Sequence, residues 1–392
     1  MQPLTLAACD FLSSPAAQAE LAGARLPAKS EELGFLSRAR ARFGADEAGW
    51  LLDQLQLRAR ARGRIPDAER LLFDPEALSM LSSAPVAAWR ALRLKGLAGS
   101  CLDLGAGGGG DCMAFARAGL AVQAVERDPV RARLLEHNLE LLGLADRVRV
   151  LVLDWTTRAW NGEELAFVDP ARRVDGARVL SLHDTLPPLQ TVLDLAQEVP
   201  AVLLKAAPGF ALRELPAQAG LEFVSLDGEL KEALLTFGRA RRSGPRAVIL
   251  PAGAELEGEP PAEPTLGPPG EWIYEPDPAV IRAGLVRLLG ARLGAHQLDA
   301  QTAYLSGPAA AAAPFARAWR VERWGHFLLK GLKRWLREAD VGTLEVKRRR
   351  SPIEPATLLR QLGKLRGARK ATVFLTPVED RPSMVLAFAE EA

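Results

Sequence analysis

Four carboxylates and a run of glycines are the residues of this chain whose types and spacing can do chemistry. In Cys101-Leu102-Asp103-Leu104-Gly105-Ala106-Gly107-Gly108-Gly109-Gly110-Asp111 an apolar stretch enters a glycine cluster, and a helical stretch, Cys112–Ala118, follows. Glycines there permit positive φ and let the backbone approach a ligand beside a helix N-terminus. Glu126 ends the next apolar run, where a carboxylate can accept hydrogen bonds from both hydroxyls of a ribose. Asp154 follows Val150–Leu153, where an acid can accept an adenine amino group, and Asp169-Pro170 follows Leu165–Val168. Each acid alone has a plain account: Asp103 caps the loop, Glu126 pairs with Arg127 or Arg131, Asp154 caps a turn. At successive strand ends of one unit they read together as a cofactor site.

Two cofactors share this logic. Gly105-x-Gly107-x-x-Gly110 satisfies the dinucleotide fingerprint, a weak pattern in a segment so rich in glycine. Asp103 sits two residues before the first glycine, where a pyrophosphate gains nothing from a negative charge. A carboxylate there helps hold a cationic, amine-bearing methionine moiety, so the acids favour S-adenosylmethionine over a nicotinamide dinucleotide. The expected cofactor residues are Asp103, Gly105, Gly107, Gly109, Glu126 and Asp154, with Arg127 and Trp155 beside them.

Short β-rich runs alternate with helical stretches from about residue 85 to 250, which predicts βαβ units and a parallel sheet. Glu232–Phe237 and Ala247–Leu250, separated by one turn, read as an antiparallel hairpin closing it. The four expected segments are a helical N-terminal domain (1–84), this α/β domain (85–250), a linker (251–270) and an α+β domain (271–392). The linker holds six Pro, four Gly and four Glu and no basic residue. In the last segment a helix over Ala279–Leu289, strands at Thr343–Val346 and Thr372–Leu375 and a helix near Ala356–Leu365 are expected. With 392 residues, 48% hydrophobic and 25% charged, the chain is no disordered, collagenous or disulfide-scaffold protein. Cys9, Cys101 and Cys112 fit neither a disulfide framework nor a metal site, and suit a reducing cytoplasm. Leu6-Ala7-Ala8-Cys9 lacks the basic start and apolar core of a lipoprotein signal, and no window predicts a membrane span.

Asp103-Leu-Gly-Ala-Gly-Gly-Gly109, Glu126-Arg-Asp-Pro129 and Asp154 resemble the first three motifs of class I S-adenosylmethionine-dependent methyltransferases. Val168-Asp-Pro-Ala-Arg-Arg173, Leu203-Leu-Lys-Ala-Ala-Pro-Gly209, Glu229-Leu-Lys-Glu-Ala233, Trp272-Ile-Tyr-Glu-Pro-Asp-Pro278 and Lys347-Arg-Arg-Arg-Ser-Pro352 are similar to a bacterial family of such enzymes. That family carries a C-terminal THUMP-like domain. The resemblance, over roughly residues 30–392, implies a Rossmann-like methyltransferase sheet and an RNA substrate.

Amino-group methyltransferases commonly place Asp/Asn-Pro-Pro-aromatic after the fourth strand, where acid and carbonyl orient the amine and the ring stacks on the base. Here Asp169-Pro170-Ala171-Arg172 lacks the second proline and the ring. Asp169 is expected to orient the acceptor with Pro170, and Arg172 to stack on a base or bind phosphate. Cys101 and Cys112 read as core thiols, leaving no cysteine nucleophile. Transfer should be in line, its rate coming from positioning.

The net charge is only +2, yet Arg317–Lys370 holds sixteen Lys/Arg against five Asp/Glu, interleaved with Trp319, Trp324, Phe327 and Trp335. The spacing Trp324-Phe327-Leu328-Leu332-Trp335 suits the core side of a helix. Lys347, Arg348, Arg349 and Arg350 repel one another unless an anion relieves them, which suggests RNA, with Arg173 and Lys205 as further phosphate contacts. Arg38, Arg40, Arg42, Arg58, Arg60, Arg62 and Arg64 read as the solvated surface of N-terminal helices, with a nucleic-acid face as the alternative. A protein or small-molecule methyltransferase, a non-catalytic RNA-binding module and a nicotinamide oxidoreductase are the rival readings.

Overall fold

A computed structural model describes residues 4–170, 173–174, 177–178, 181–310 and 314–390. They form two compact units, Met1–Gly220 with Ala233–Arg242, and Leu221–Glu232 with Ser243–Ala392.

In the first unit, helices α1 (Leu6–Ser13), α2 (Pro15–Gly23), α3 (Glu32–Phe43) and α4 (Ala45–Ala61) come first. Ser14 accepts from the Ala17 amide and Pro15 opens the first turn, so α2 starts where an acceptor and a fixed φ favour it. The apolar sides of these helices share a core containing Leu12, Leu51, Leu55 and, from a later helix, Leu134. Next come α5 (Pro75–Met80) and α6 (Ala84–Lys95).

The sheet begins with β1 (Ser100–Leu104), followed by α7 (Gly110–Arg117), β2 (Ala121–Glu126), α8 (Pro129–Leu141), β3 (Val148–Val152) and β4 (Leu165–Val168). β5 (Arg173–Val174) and β6 (Ala177–Arg178) pair with each other; α9 (Leu189–Glu198) and β7 (Ala201–Ala206) complete the parallel part. Every residue of β4 and β7 is buried, as expected for strands covered on both faces. β1 pairs in parallel with β2 on one side and β4 on the other, so the winding reverses at β1. The carboxyl ends of strands beside such a reversal are where open α/β sheets bind ligands.

The expected hairpin does not form. In β9 (Glu229–Gly238), the Ala233–Gly238 half runs antiparallel to β7. β8 (Gly220–Leu226) enters β9 through Asp227-Gly228, both at positive φ, the two-residue turn that Asp-Gly favours. β10 (Pro245–Leu250) instead lies parallel to β8, with Val248 opposite Val224. The Pro/Gly-rich stretch contributes β11 (Ala254–Glu257), antiparallel to β10, and a bridge from Leu266 to Gln297.

The second unit also holds β12 (Trp272–Pro276), α10 (Pro278–Arg282), α11 (Val286–Leu293), β13 (His296–Gln297), β14 (Leu305–Gly307), β15 (Ala316–His326), α12 (Leu329–Glu338), β16 (Val341–Arg348), α13 (Pro355–Leu362), β17 (Arg369–Val378) and β18 (Arg381–Ala389). These strands form one sheet in the order β13-β14-β12-β15-β18-β17-β16. Leu332, Leu336, Leu358 and Leu362 share a core with Val373 and Leu386, while Trp319, Tyr304 and Phe374 belong to a second cluster. The helix expected over Ala279–Leu289 is interrupted by Gly284 at φ +73°, giving α10 and α11. Trp324 stands on strand β15 and is 41% exposed, not on the core side of a helix; the helical spacing was fortuitous across a strand–helix junction. Among the described residues no helix is long and apolar enough to cross a membrane.

Candidate active site

The glycine loop joins β1 to α7 at the sheet's point of reversal. Gly105 and Ala106 both donate to the Val125 carbonyl, which ties the loop to the end of β2. Gly105, Gly107 and Gly109 have φ of +89°, +53° and +78°. A Cβ on Gly105 would stand 2.9 Å from the Asp169 carbonyl oxygen, and one on Gly109 2.3 Å from Leu135 Cδ1. The loop thus needs glycine for conformation and for space.

Glu126 holds this loop. Its Oε2 accepts from the Gly107 amide at 2.7 Å and its Oε1 from the Asp128 amide at 2.8 Å. Arg131 goes instead to Glu76, with Asp74 nearby, and is not the partner of Glu126. The carboxylate therefore fixes the loop through both of its oxygens.

Behind the loop lies a buried network that the sequence did not suggest. Arg90 of α6 pairs with Asp111 at the start of α7 and packs over the Phe167 ring at 4.7 Å. Ser82 donates to Asp111 Oδ2 at 3.1 Å. Lys205, at the end of β7, donates to Ser82 Oγ at 2.9 Å and to Asp169 Oδ2 at 2.6 Å. Lys205 is buried by this set of acceptors, so it is not the free strand-end cation expected to meet a phosphate. Asp169 has a 23% exposed side chain, held from behind by that ammonium. Asp103 lies among them, buried, with Oδ2 lacking a hydrogen-bond partner. Burial, with Asp111 and Asp169 adding repulsion, raises its carboxyl well above the usual carboxylate range, against the pull of Arg90 and Lys205.

Asp154 is exposed at the end of β3, where its Oδ1 accepts from the Thr156 amide and hydroxyl. These bonds, with the charge of nearby Arg127, hold its carboxyl below the usual range. Arg127 is exposed. Trp155 is buried, and its carbonyl accepts from Trp160 Nε1. Pro170 is buried directly after Asp169. Arg172 lies outside the described residues, and Arg173 lies in β5. Cys101 and Cys112 are buried, and burial pushes both thiols up, far from thiolate chemistry.

The C-terminal cations do not wait for an external anion. Lys347 pairs with Glu275 at 2.7 Å, Arg348 with Glu354 at 2.7 Å and Arg350 with Asp299 at 2.8 Å. Arg349 lies 3.8 Å from Glu275 and covers the Tyr304 ring. Lys347 also covers Trp319, which is buried and offers no face to a base. The repulsion that suggested RNA is relieved inside the unit, by acids up to dozens of residues away in sequence.

Comparison with known proteins now bears on these features. Two Mycobacterium tuberculosis proteins (strains CDC 1551 / Oshkosh and ATCC 25618 / H37Rv), each named an uncharacterized S-adenosylmethionine-dependent methyltransferase, are 38% identical over 353 residues, covering 86% of this chain and 95% of each relative. The chain belongs to the S-adenosylmethionine-dependent methyltransferases. Residues 98–185 match the model of the RNA cap guanine-N2 methyltransferase family, and residues 316–388 the THUMP domain-like family. A crystal structure described as a methyltransferase from Porphyromonas gingivalis W83 superposes with a TM-score of 0.73 at 21% identity, covering 93% of this chain and all of that one. The expected methyltransferase fold and cofactor are thus correct.

The residues present fit S-adenosylmethionine. The glycine backbone lies tight against the end of β4, where a Cβ at Gly105 would meet the Asp169 carbonyl oxygen. The orphaned, buried Asp103 oxygen is a ready acceptor for an ammonium. Asp111 and Asp169 face Arg90 and Lys205 there, and a cationic ligand beside Asp103 would favour its ionised form.

Proposed function

We propose that this methyltransferase acts on RNA, and that Asp169 orients the acceptor. The observation that carries the second part is the 2.6 Å contact between Lys205 Nζ and Asp169 Oδ2 at the end of β7 and β4. It fixes a carboxylate whose side chain is 23% exposed. The substrate class is supported by the match of residues 98–185 to an RNA cap guanine-N2 methyltransferase family and of 316–388 to a THUMP-like one.

When bound, S-adenosylmethionine supplies an electrophilic methyl on a sulfonium. Glu126 would hold the ribose hydroxyls with its outer lone pairs, Asp154 the adenine amine and Asp103 the ammonium. Asp169 would accept a hydrogen bond from the acceptor, orient the acceptor's lone pair toward the bound cofactor and take the proton that the acceptor gives up. Lys205 and Ser82 keep Asp169 from rotating away. Most of the acceleration then comes from positioning. The buried, free cysteines suit a reducing compartment, and we assign the protein to the cytoplasm.

Transfer of labelled methyl from S-adenosylmethionine to total RNA and to total protein from one lysate tests the substrate class. Label in RNA, located by nucleoside analysis, is expected; label confined to protein or small molecules overturns it.

A further inference from the structure

The last turn of α4 and the segment that follows it are held rigidly, while the side chains of Arg60, Arg62 and Arg64 on them are not. Arg58 donates to the Leu71 carbonyl at 2.9 Å and to the Arg70 carbonyl at 2.8 Å. The Ala84 amide donates to the Arg64 carbonyl at 3.3 Å, Arg117 pairs with Asp67 at 2.6 Å, and Ile65, Ala68 and Leu71 are buried. The loop between α4 and α5 therefore has little freedom. Arg60, Arg62 and Arg64 are all exposed, and among the described residues none of the three forms an ion pair or hydrogen bond through its side chain. They differ in this from Lys347, Arg348, Arg349 and Arg350, each of which has a carboxylate of its own chain beside it.

The loop is also near the acceptor. Ala84, which holds Arg64, is two residues from Ser82, and Ser82 Oγ is 2.9 Å from the Lys205 ammonium that holds Asp169. Along that path the Arg64 backbone lies within about 20 Å of Asp169, so an extended arginine reaches phosphates a few nucleotides from a base placed there. Unpaired guanidinium groups on a fixed backbone bind phosphates without the cost of ordering a loop, and arginine suits phosphate oxygens.

We infer that Arg60, Arg62 and Arg64 form the phosphate-binding surface that docks an RNA strand beside the methyl-acceptor site. The inference rests on RNA being the substrate, and the test separates the two. Each phosphate contact to a single strand steepens the dependence of log K on log salt by about 0.7, so the three together contribute about two.

The probe is a labelled 20-nucleotide single-stranded RNA, with binding read by anisotropy from low to moderate salt, and total RNA as methyl acceptor. The Arg60→Gln/Arg62→Gln/Arg64→Gln variant is expected to lose about two from the slope and to raise KM for RNA at least tenfold. Its kcat and its affinity for S-adenosylhomocysteine should stay as in the wild type; the latter also reports an intact fold. Single variants should each lose about a third of the effect. If the wild type methylates RNA and the triple variant keeps slope and KM, the docking surface is wrong and the RNA substrate stands. If the wild type neither methylates RNA nor binds it in a salt-dependent way, both readings fall.

Discussion

Glu126 is where a single atom's change has the most readable effect. Its two oxygens each accept one backbone amide, Gly107 at 2.7 Å and Asp128 at 2.8 Å, in a position only 6% exposed. In Glu126→Gln one end of the side chain becomes an NH2. Whichever way it flips, either the Gly107 or the Asp128 amide then faces a donor. A hydrogen bond to a charged group is worth about 1.5–3 kcal/mol, so the ligand-free variant should lose roughly that much stability. Urea titration should show a lower midpoint with an unchanged m-value. Because the same bond sets the glycine loop, S-adenosylhomocysteine affinity by calorimetry should fall at least tenfold, about 1.4 kcal/mol. Glu126→Ala strands both amides and should cost more on both counts. A Gln variant as stable as the wild type would refute the claim that the carboxylate holds the loop. A destabilised variant with full affinity would show that this loop is not the cofactor's seat.

Asp169→Ala is expected to abolish methyl transfer while calorimetric affinity for the cofactor stays within about threefold; lost cofactor binding would move the residue to that site. Lys205→Met takes the ammonium from Asp169 and leaves Asp111 to Arg90, and should lower unfolding free energy by about 3–5 kcal/mol, read by urea titration. Asp103 is harder to ionise in the folded protein than in the unfolded chain. The folded state thus binds that proton more tightly, and the stability it confers is lost as pH rises from about 4 through the raised value. Asp103→Asn removes this loss, so its stability relative to wild type should increase over that range. A difference that does not vary with pH would mean that Asp103 is an ordinary surface-like acid.

What the sequence disclosed was local. The strand–glycine–helix unit and the acids at strand ends each depend on neighbours a few residues away, so spacing sufficed. The pairing of β8 with β9 did not show, although Asp227-Gly228 marked the tight turn between them, and neither did that of β10 with β8. Arg90 had a signal too: it shares the apolar stripe Val86, Ala87, Ala91, Leu94 of α6, where a charge must find a buried partner. That Asp111 was the partner could be learned only from the fold. The same holds for the C-terminal cations, whose carboxylates Glu275 and Asp299 lie about 50 to 75 residues earlier. Local charge density is read from a sequence easily, and its compensation is not.

The carboxyls of Asp103, Asp111 and Asp169 bear on release as well as capture. A sulfonium cofactor enters with one more positive charge than the thioether it becomes. Donating the methyl therefore weakens the attraction between these acids and the ligand, at a point where burial makes charge count heavily. A site that draws on these acids to hold the cofactor would favour reactant over product, so each turnover would loosen its own grip on what remains.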